Sequence, residues 1–225
     1  MININYLYLI TLVLFVGCIP NVLFKEALPP DIQAISEFPI EMIGTYVCES
    51  DGNIIEITKE AIIKEEYYTV TMPITEIGQS ETCAIVDGSL HIEGRQECIP
   101  FTYVSEDTIS AQVFDLDTLF STQTSVLKMY RGHLFVNTLG SDKAWITFMV
   151  SHGKYGDLIW KLILVPDEIE QINEITSDVS IVKSEEDKME KYIINPSLKE
   201  FDYILNKDFT IECEQLTPIR PLRPY

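Results

Sequence analysis

Hydrophobic and polar positions divide the chain into three stretches of different rhythm. In the first, residues 6–17 (YLYLITLVLFVG) form a mostly apolar run that ends at Cys18-Ile19-Pro20-Asn21. A bilayer-crossing helix needs about 20 apolar residues. This shorter run matches the apolar part of an export signal, which assigns residues 1–17 to a signal peptide. From Leu23 to about Pro39, Pro29, Pro30 and Pro39 punctuate the pattern. That predicts a tether over residues 18–39 carrying one short helix at residues 31–36.

The second stretch, from Ile40 to about Leu164, reads almost entirely as strand. Segments rich in Val, Ile, Thr and Tyr occur at residues 42–49, 53–58, 67–72, 82–86, 90–93, 99–104, 108–114, 125–130, 133–137, 145–151 and 157–164. Ser50-Asp51-Gly52-Asn53, Val86-Asp87-Gly88-Ser89 and Arg131-Gly132 supply tight hairpin turns between some of them, and residues 152–156 a longer one. Ile55 and Ile57 share one face, with Glu56 on the other, as a half-buried strand requires. Residues 159–164 (IWKLIL) are more nearly continuous and predict a strand covered on both sides. The succession of hairpins predicts a mainly β fold, an antiparallel meander closing into a barrel or a sandwich. Closure would remove exposed edges.

The third stretch changes character again. Pro166-Asp167-Glu168 opens a short helix to about Ile175, with acids at its positive dipole end. Residues 183–191 (KSEEDKMEK) read as a solvated turn, and residues 191–195 as a strand. Pro196-Ser197 opens a second short helix, whose apolar face is Leu198, Phe201, Ile204 and Leu205. Residues 209–214 close the β-rich domain, which spans 40–215. Residues 216–225, with three prolines in the last eight positions, read as a disordered tail.

Charge sharpens the division. The chain of 225 residues carries 35 acidic and 16 basic side chains, a formal net charge of −19, yet its first charged side chain is Lys25. So acidic a chain repels phosphate backbones and excludes sequence-general nucleic-acid binding. The 46% hydrophobic content is too high for a disordered protein.

Phe15-Val16-Gly17-Cys18 resembles the lipobox of bacterial lipoproteins, in which a small residue precedes the acylated cysteine. The resemblance implies that Cys18 carries lipid and that membrane lipid is the partner it engages, palmitate being the type of acyl chain. The competing reading continues an uncharged anchor helix through Val22-Leu23-Phe24. Residues 19–24 contain no acid, which for such lipoproteins implies the periplasmic face of an outer membrane. With Cys18 lipidated, Cys48, Cys83, Cys98 and Cys213 remain. They allow three pairings, of which Cys83–Cys98 closes the shortest loop, and free buried thiols are the alternative.

Met42-Ile43-Gly44-Thr45-Tyr46 with Asp51-Gly52 resembles the opening of uncharacterised β-rich lipoproteins of Bacteroidota. Residues 126–137 ahead of Trp145 are similar to them, as are residues 192–197 with Lys199-Glu200-Phe201. The family implies an exported β-rich domain and brings no activity with it. Gly44-Thr45-Tyr46 also resembles the Gly-x-Trp of lipocalins, as an architectural analogy.

Motifs for catalysis, phosphate binding or dinucleotide binding are missing from the sequence. His91-x-Glu93, with His133 or His152, is the nearest approach to a metal set, and surface histidines are the simpler reading. Asp115-x-Asp117 reads as loop acids rather than a calcium loop. Trp145, Trp160, Tyr67 and Tyr68 are core residues on the simpler reading, or the lining of an apolar ligand cavity. The sequence therefore points to a non-enzymatic envelope lipoprotein with no cofactor and no metal, acting by binding or as structure. A lipocalin-like carrier of an apolar small molecule is the alternative, and an envelope hydrolase a more distant one.

Overall fold

A computed structural model describes residues 20–94, 98–140, 143–183 and 190–219, and Cys18 and the signal segment lie outside them. The described chain is mostly β, one large and almost wholly antiparallel sheet with three short helices. The strands are β1 (Val22–Phe24), β2 (Ala34–Ile35), β3 (Gly44–Cys48), β4 (Ile54–Ile57) and β5 (Ala61–Pro73). After helix α1 (Ile74–Ile77) come β6 (Cys83–Val86), β7 (Ser89–Ile92), β8 (Ile99–Tyr103), β9 (Thr108–Ser121), β10 (Ser125–Tyr130) and β11 (His133–Leu139). The chain continues through β12 (Trp145–His152), β13 (Leu158–Ile163), α2 (Ile169–Ile175), β14 (Val179–Lys183), β15 (Glu190–Ile194), α3 (Leu198–Asn206) and β16 (Thr210–Pro218).

The tight turns form as their residues predict. Asp87 and Gly88 have φ of 50° and 75°, and Arg131 and Gly132 have 50° and 79°. Both positions of each pair are left-handed, the geometry whose twist matches the flanking strands. Ser197 caps α3 in a reciprocal capping box with Glu200, and Phe201 and Ile204 bury its apolar face.

The ladder runs β2-β10-β11-β12-β13-β16-β3-β4-β5-β9-β8-β7-β6 and does not close. Because side chains alternate between faces, β11 and β12 serve two cores at once. Leu134, Val136 and Val150 face inward, toward Tyr46, Ile55, Ile57, Ile62, Leu127 and Trp160. Phe135 and Met149 face outward, where β1, α2, α3 and β15 cover them with Phe24, Ile172, Ile194 and Phe201. A third core, built on Ile77, Leu90, Ile99, Ile109, Ala111 and Val113, holds α1 and β6–β8 against the far half of the β5–β9 ribbon.

Two expected boundaries move. The segment 18–39 is not a loose tether over its described part. Val22, Leu23 and Phe24 are 1–2% exposed and form a strand between β15, to which β1 is parallel, and the start of β12. Burying three such side chains contributes roughly 1.5–3 kcal/mol each. This also removes the anchor helix through Val22-Leu23-Phe24. Further on, fully buried Asn137 pairs its amide with both backbone groups of Leu28 at 2.8 Å, and Lys128 Nζ donates to the carbonyls of Ala27 and Pro29 at 2.7 Å. The helix expected at residues 31–36 is replaced by a turn and β2. At the other end, Leu216, Thr217 and Pro218 belong to β16 and pair with β3, so the expected tail starts later than 216.

Candidate functional site

The inner face of β5 changes chemistry along its length. Ile62 belongs to the first core and Val70 and Met72 to the third, yet Lys64, Glu66 and Tyr68 stand between them on the same face. On β9, Phe120 lies opposite Ile62, Asp117 opposite Lys64 and Asp115 opposite Glu66. Asp115 and Asp117 are therefore strand residues at a polar waist between two cores, not the loop acids expected.

At this waist the Lys64 side chain, buried at 8% exposure, reaches Asp51 Oδ2 at 2.8 Å and Glu66 Oε1 at 2.6 Å. The β3–β4 turn holds Asp51 in place, because its Oδ1 accepts the Asn53 N–H at 3.0 Å. Buried Cys48 ends β3, with Sγ 3.6 Å from Ser50 Oγ. Ser50 donates to Glu214 of β16 through both its hydroxyl and its backbone N–H. Trp160, in register with Glu214, stacks on Phe120 at 5.2 Å, and Phe148 meets Phe120 edge-on at 5.4 Å. Three strand pairs thus bring together a polar network beside an aromatic cluster.

The electrostatics fix the protonation states. Burial pushes the Cys48 thiol up to about 12, and the Glu214 and Asp51 carboxylates beside it add to the effect. For Asp51, burial would raise the carboxyl, but the Lys64 ammonium, the Asn53 N–H and the Cys48 thiol outweigh it and hold it at about 2. Glu214 is lowered in the same way, burial being outweighed by bonds from Cys48, Ser50 and the Gln215 N–H. Lys64 is raised, because Asp51 and Glu66 overcome the burial that opposes its charge. At neutral pH the thiol and ammonium keep their protons while Asp51 and Glu214 lack theirs. A protonated thiol is a poor nucleophile, and carboxylates held this low are weak bases. The arrangement locks β3, β5 and β16 together and offers no general acid–base pair from these four groups.

Along β16, two open clefts of about 400 and 310 Å³ share Glu49 and Gln215, the smaller also touching Ser50 and Glu214. The floor of the larger is Asp157, buried, accepting the Tyr155 N–H at 2.9 Å and Gln215 Nε2 at 3.2 Å. A Cβ at Gly153 would overlap the Asp157 carboxylate, which explains glycine in that hairpin.

The other candidates are dispersed. Cys48, Cys83 and Cys98 are free thiols, and Cys213 Sγ donates to the Ile211 carbonyl at 3.6 Å. Cys83 pairs with Ile92 on one side of β7, while Cys98 lies on the other side, 4.0 Å from His91 Nδ1. Two strand spacings separate them, about 10 Å, beyond the reach of a disulfide. The expected Cys83–Cys98 bond is therefore not formed. His91 sits on β7, whereas His133 bonds Ser151 at 2.8 Å across β11 and β12 and His152 ends β12, so the three are not assembled. Among the described residues no group of three His, Cys, Asp or Glu side chains is placed to hold a metal ion. Trp145 packs on the outer core and Trp160 in the inner one, so they do not line one cavity.

The network of Cys48, Asp51, Lys64, Glu66 and Glu214 was not foreseen from sequence. Its available signal is Lys64, two residues from Ile62 on a core-facing strand face. The chain matches no protein-family model, no curated protein and no solved structure.

Proposed function

We propose that this chain is an exported bacterial lipoprotein, held in the cell envelope by acyl chains on Cys18, and that its acidic β-rich domain works by binding or as envelope structure rather than by catalysis. The observation that carries this reading is β1. Val22–Phe24 is a buried strand of the domain, so the domain begins within a few residues of Cys18. Everything before Cys18 is uncharged and everything from Lys25 onward carries the net charge of −19. Ile19, Pro20 and Asn21 span at most about 10 Å, which with a lipid on Cys18 favours a domain held close to the membrane surface over one on a long stalk. An anionic bilayer would repel so acidic a domain, so retention rests on the lipid at Cys18. The likeness to Bacteroidota lipoproteins supports the same reading, and the periplasmic face of an outer membrane is the location it favours.

The protonation states at the waist support a non-catalytic role. The carrier alternative has less support: Tyr46, Ile55, Ile57, Leu127 and Trp160 fill the inner core, and the two clefts are open and acid-lined. Expression of wild type and Cys18→Ser in an exporting bacterial host tests the proposal. Wild type should take up labelled palmitate and partition into the detergent phase, and the variant should do neither. Unchanged partitioning of Cys18→Ser would overturn it.

A further inference from the structure

The outer face of β3, β4, β5 and β9, opposite the first core, carries an apolar surface that no element of the described chain covers. The register places Val47, Ile54, Glu65 and Leu116 in one row across the four strands, with Glu56, Ile63 and Thr118 in the next. Tyr67 and Phe114 follow on the other side of Glu65 and Leu116, their rings 5.0 Å apart. Leu116 is 57% and Tyr67 54% exposed, while Val47, Ile54, Ile63 and Phe114 are half-buried. The charges within these rows are Glu56 and Glu65, and no Lys or Arg stands among them. Exposed apolar side chains grouped beside half-buried ones mark an interaction site, and the Tyr67 ring is a rigid anchor of the type that dominates interface energetics.

We propose that this face docks a basic amphipathic polypeptide, one that sets apolar side chains on exposed Leu116 and Tyr67 and Lys or Arg beside Glu56 and Glu65. Charge selects this occupant. A second copy of the chain would bring another −19, and an anionic lipid surface is likewise repelled, whereas a cationic segment is steered toward the domain. The proposal deepens the binding part of the reading above but does not depend on the anchor.

The test uses the full-length chain purified from whichever cell fraction holds it, so that failure of the anchor leaves it intact. The probe is a fluorescent peptide of alternating Lys and Leu, with alternating Glu and Leu as control, in about 150 mM salt to suppress long-range attraction. Binding of the Lys/Leu peptide alone is expected. Leu116→Ser and Tyr67→Ser should each weaken it about tenfold. Ile181→Ser, at an equally exposed apolar position on β14, should leave it unchanged, and Glu65→Gln should flatten its salt dependence. Thermal melts establish that each variant is folded. Equal loss from Ile181→Ser, indifference to Leu116→Ser and Tyr67→Ser, binding of the Glu/Leu peptide, or self-association through this face would each overturn the proposal.

Discussion

The body of the molecule and its distal lobe are made of the same kinds of strand but are held together differently. In the body, β11 and β12 are buried on both faces, and Phe135, Val136, Asn137, Thr147 and Val150 are fully inaccessible. In the lobe, β6–β8 and α1 cover one face of the β5–β9 ribbon through a core of six buried residues, and the edge strand β6 leaves Val86 46% exposed. The ribbon passes from one region to the other through the charged waist at Lys64. The lobe thus shares its longest strands with the body but little hydrophobic contact, and its stability depends on β5 and β9 remaining paired beyond the waist.

Phe135→Ala and Leu90→Ala would break this comparison if the two regions unfold as one. Phe135 is 0% exposed, and its ring meets Phe201 edge-on at 5.4 Å between β11 and α3. Its removal should cost about 3–5 kcal/mol of global stability, read from urea unfolding as a shifted midpoint with unchanged slope. Leu90, 1% exposed in the lobe, should cost about 2–3 kcal/mol with a different signature. Amide protection should fall over residues 74–93 and 98–113 while β11–β13 keep theirs. Equal loss of protection in β11–β13 would show that the waist transmits stability and that the lobe is no separate unit.

The same division explains what was legible in the sequence. Strands whose inner faces are apolar, such as β3, β4 and β10–β13, stood out by composition and by their turns, α2 by the proline and acids ahead of it, and α3 by Pro196-Ser197 and its apolar spacing. The first half of β5 and the second half of β9 did not. There buried Lys64, half-buried Glu66 and exposed Asp115 and Asp117 stand on the strand face that elsewhere carries the cores, so the hydrophobic alternation that reveals a strand fails. β1 was hidden for the opposite reason. A strand of three residues buried on both faces has no alternation to show, and it follows an uncharged run that masks it. The waist network was invisible because Cys48, Lys64 and Glu214 come from distant strands, and only pairing joins them.

A smaller effect sharpens the electrical side of the comparison, since the lobe has no counterpart to buried Cys48. Its thiol is pushed up to about 12 in the fold, against an ordinary value of 9.0. A group whose pKa is raised by folding stabilises fully below its unfolded pKa and loses that contribution as pH climbs toward the folded one. The window is therefore alkaline, from about pH 9 toward pH 12. At pH 10, with reductant present, wild type should lose on the order of 1 kcal/mol more relative to pH 8 than Cys48→Ala does. Tyr46, also raised by burial, titrates in both proteins and cancels in the difference. The variant itself should be less stable at pH 8, because it vacates space in the inner core, so only the change with pH carries the answer. Parallel pH profiles for the two proteins would mean that water reaches Cys48 and that the waist is open rather than sealed by Asp51, Lys64 and Glu214.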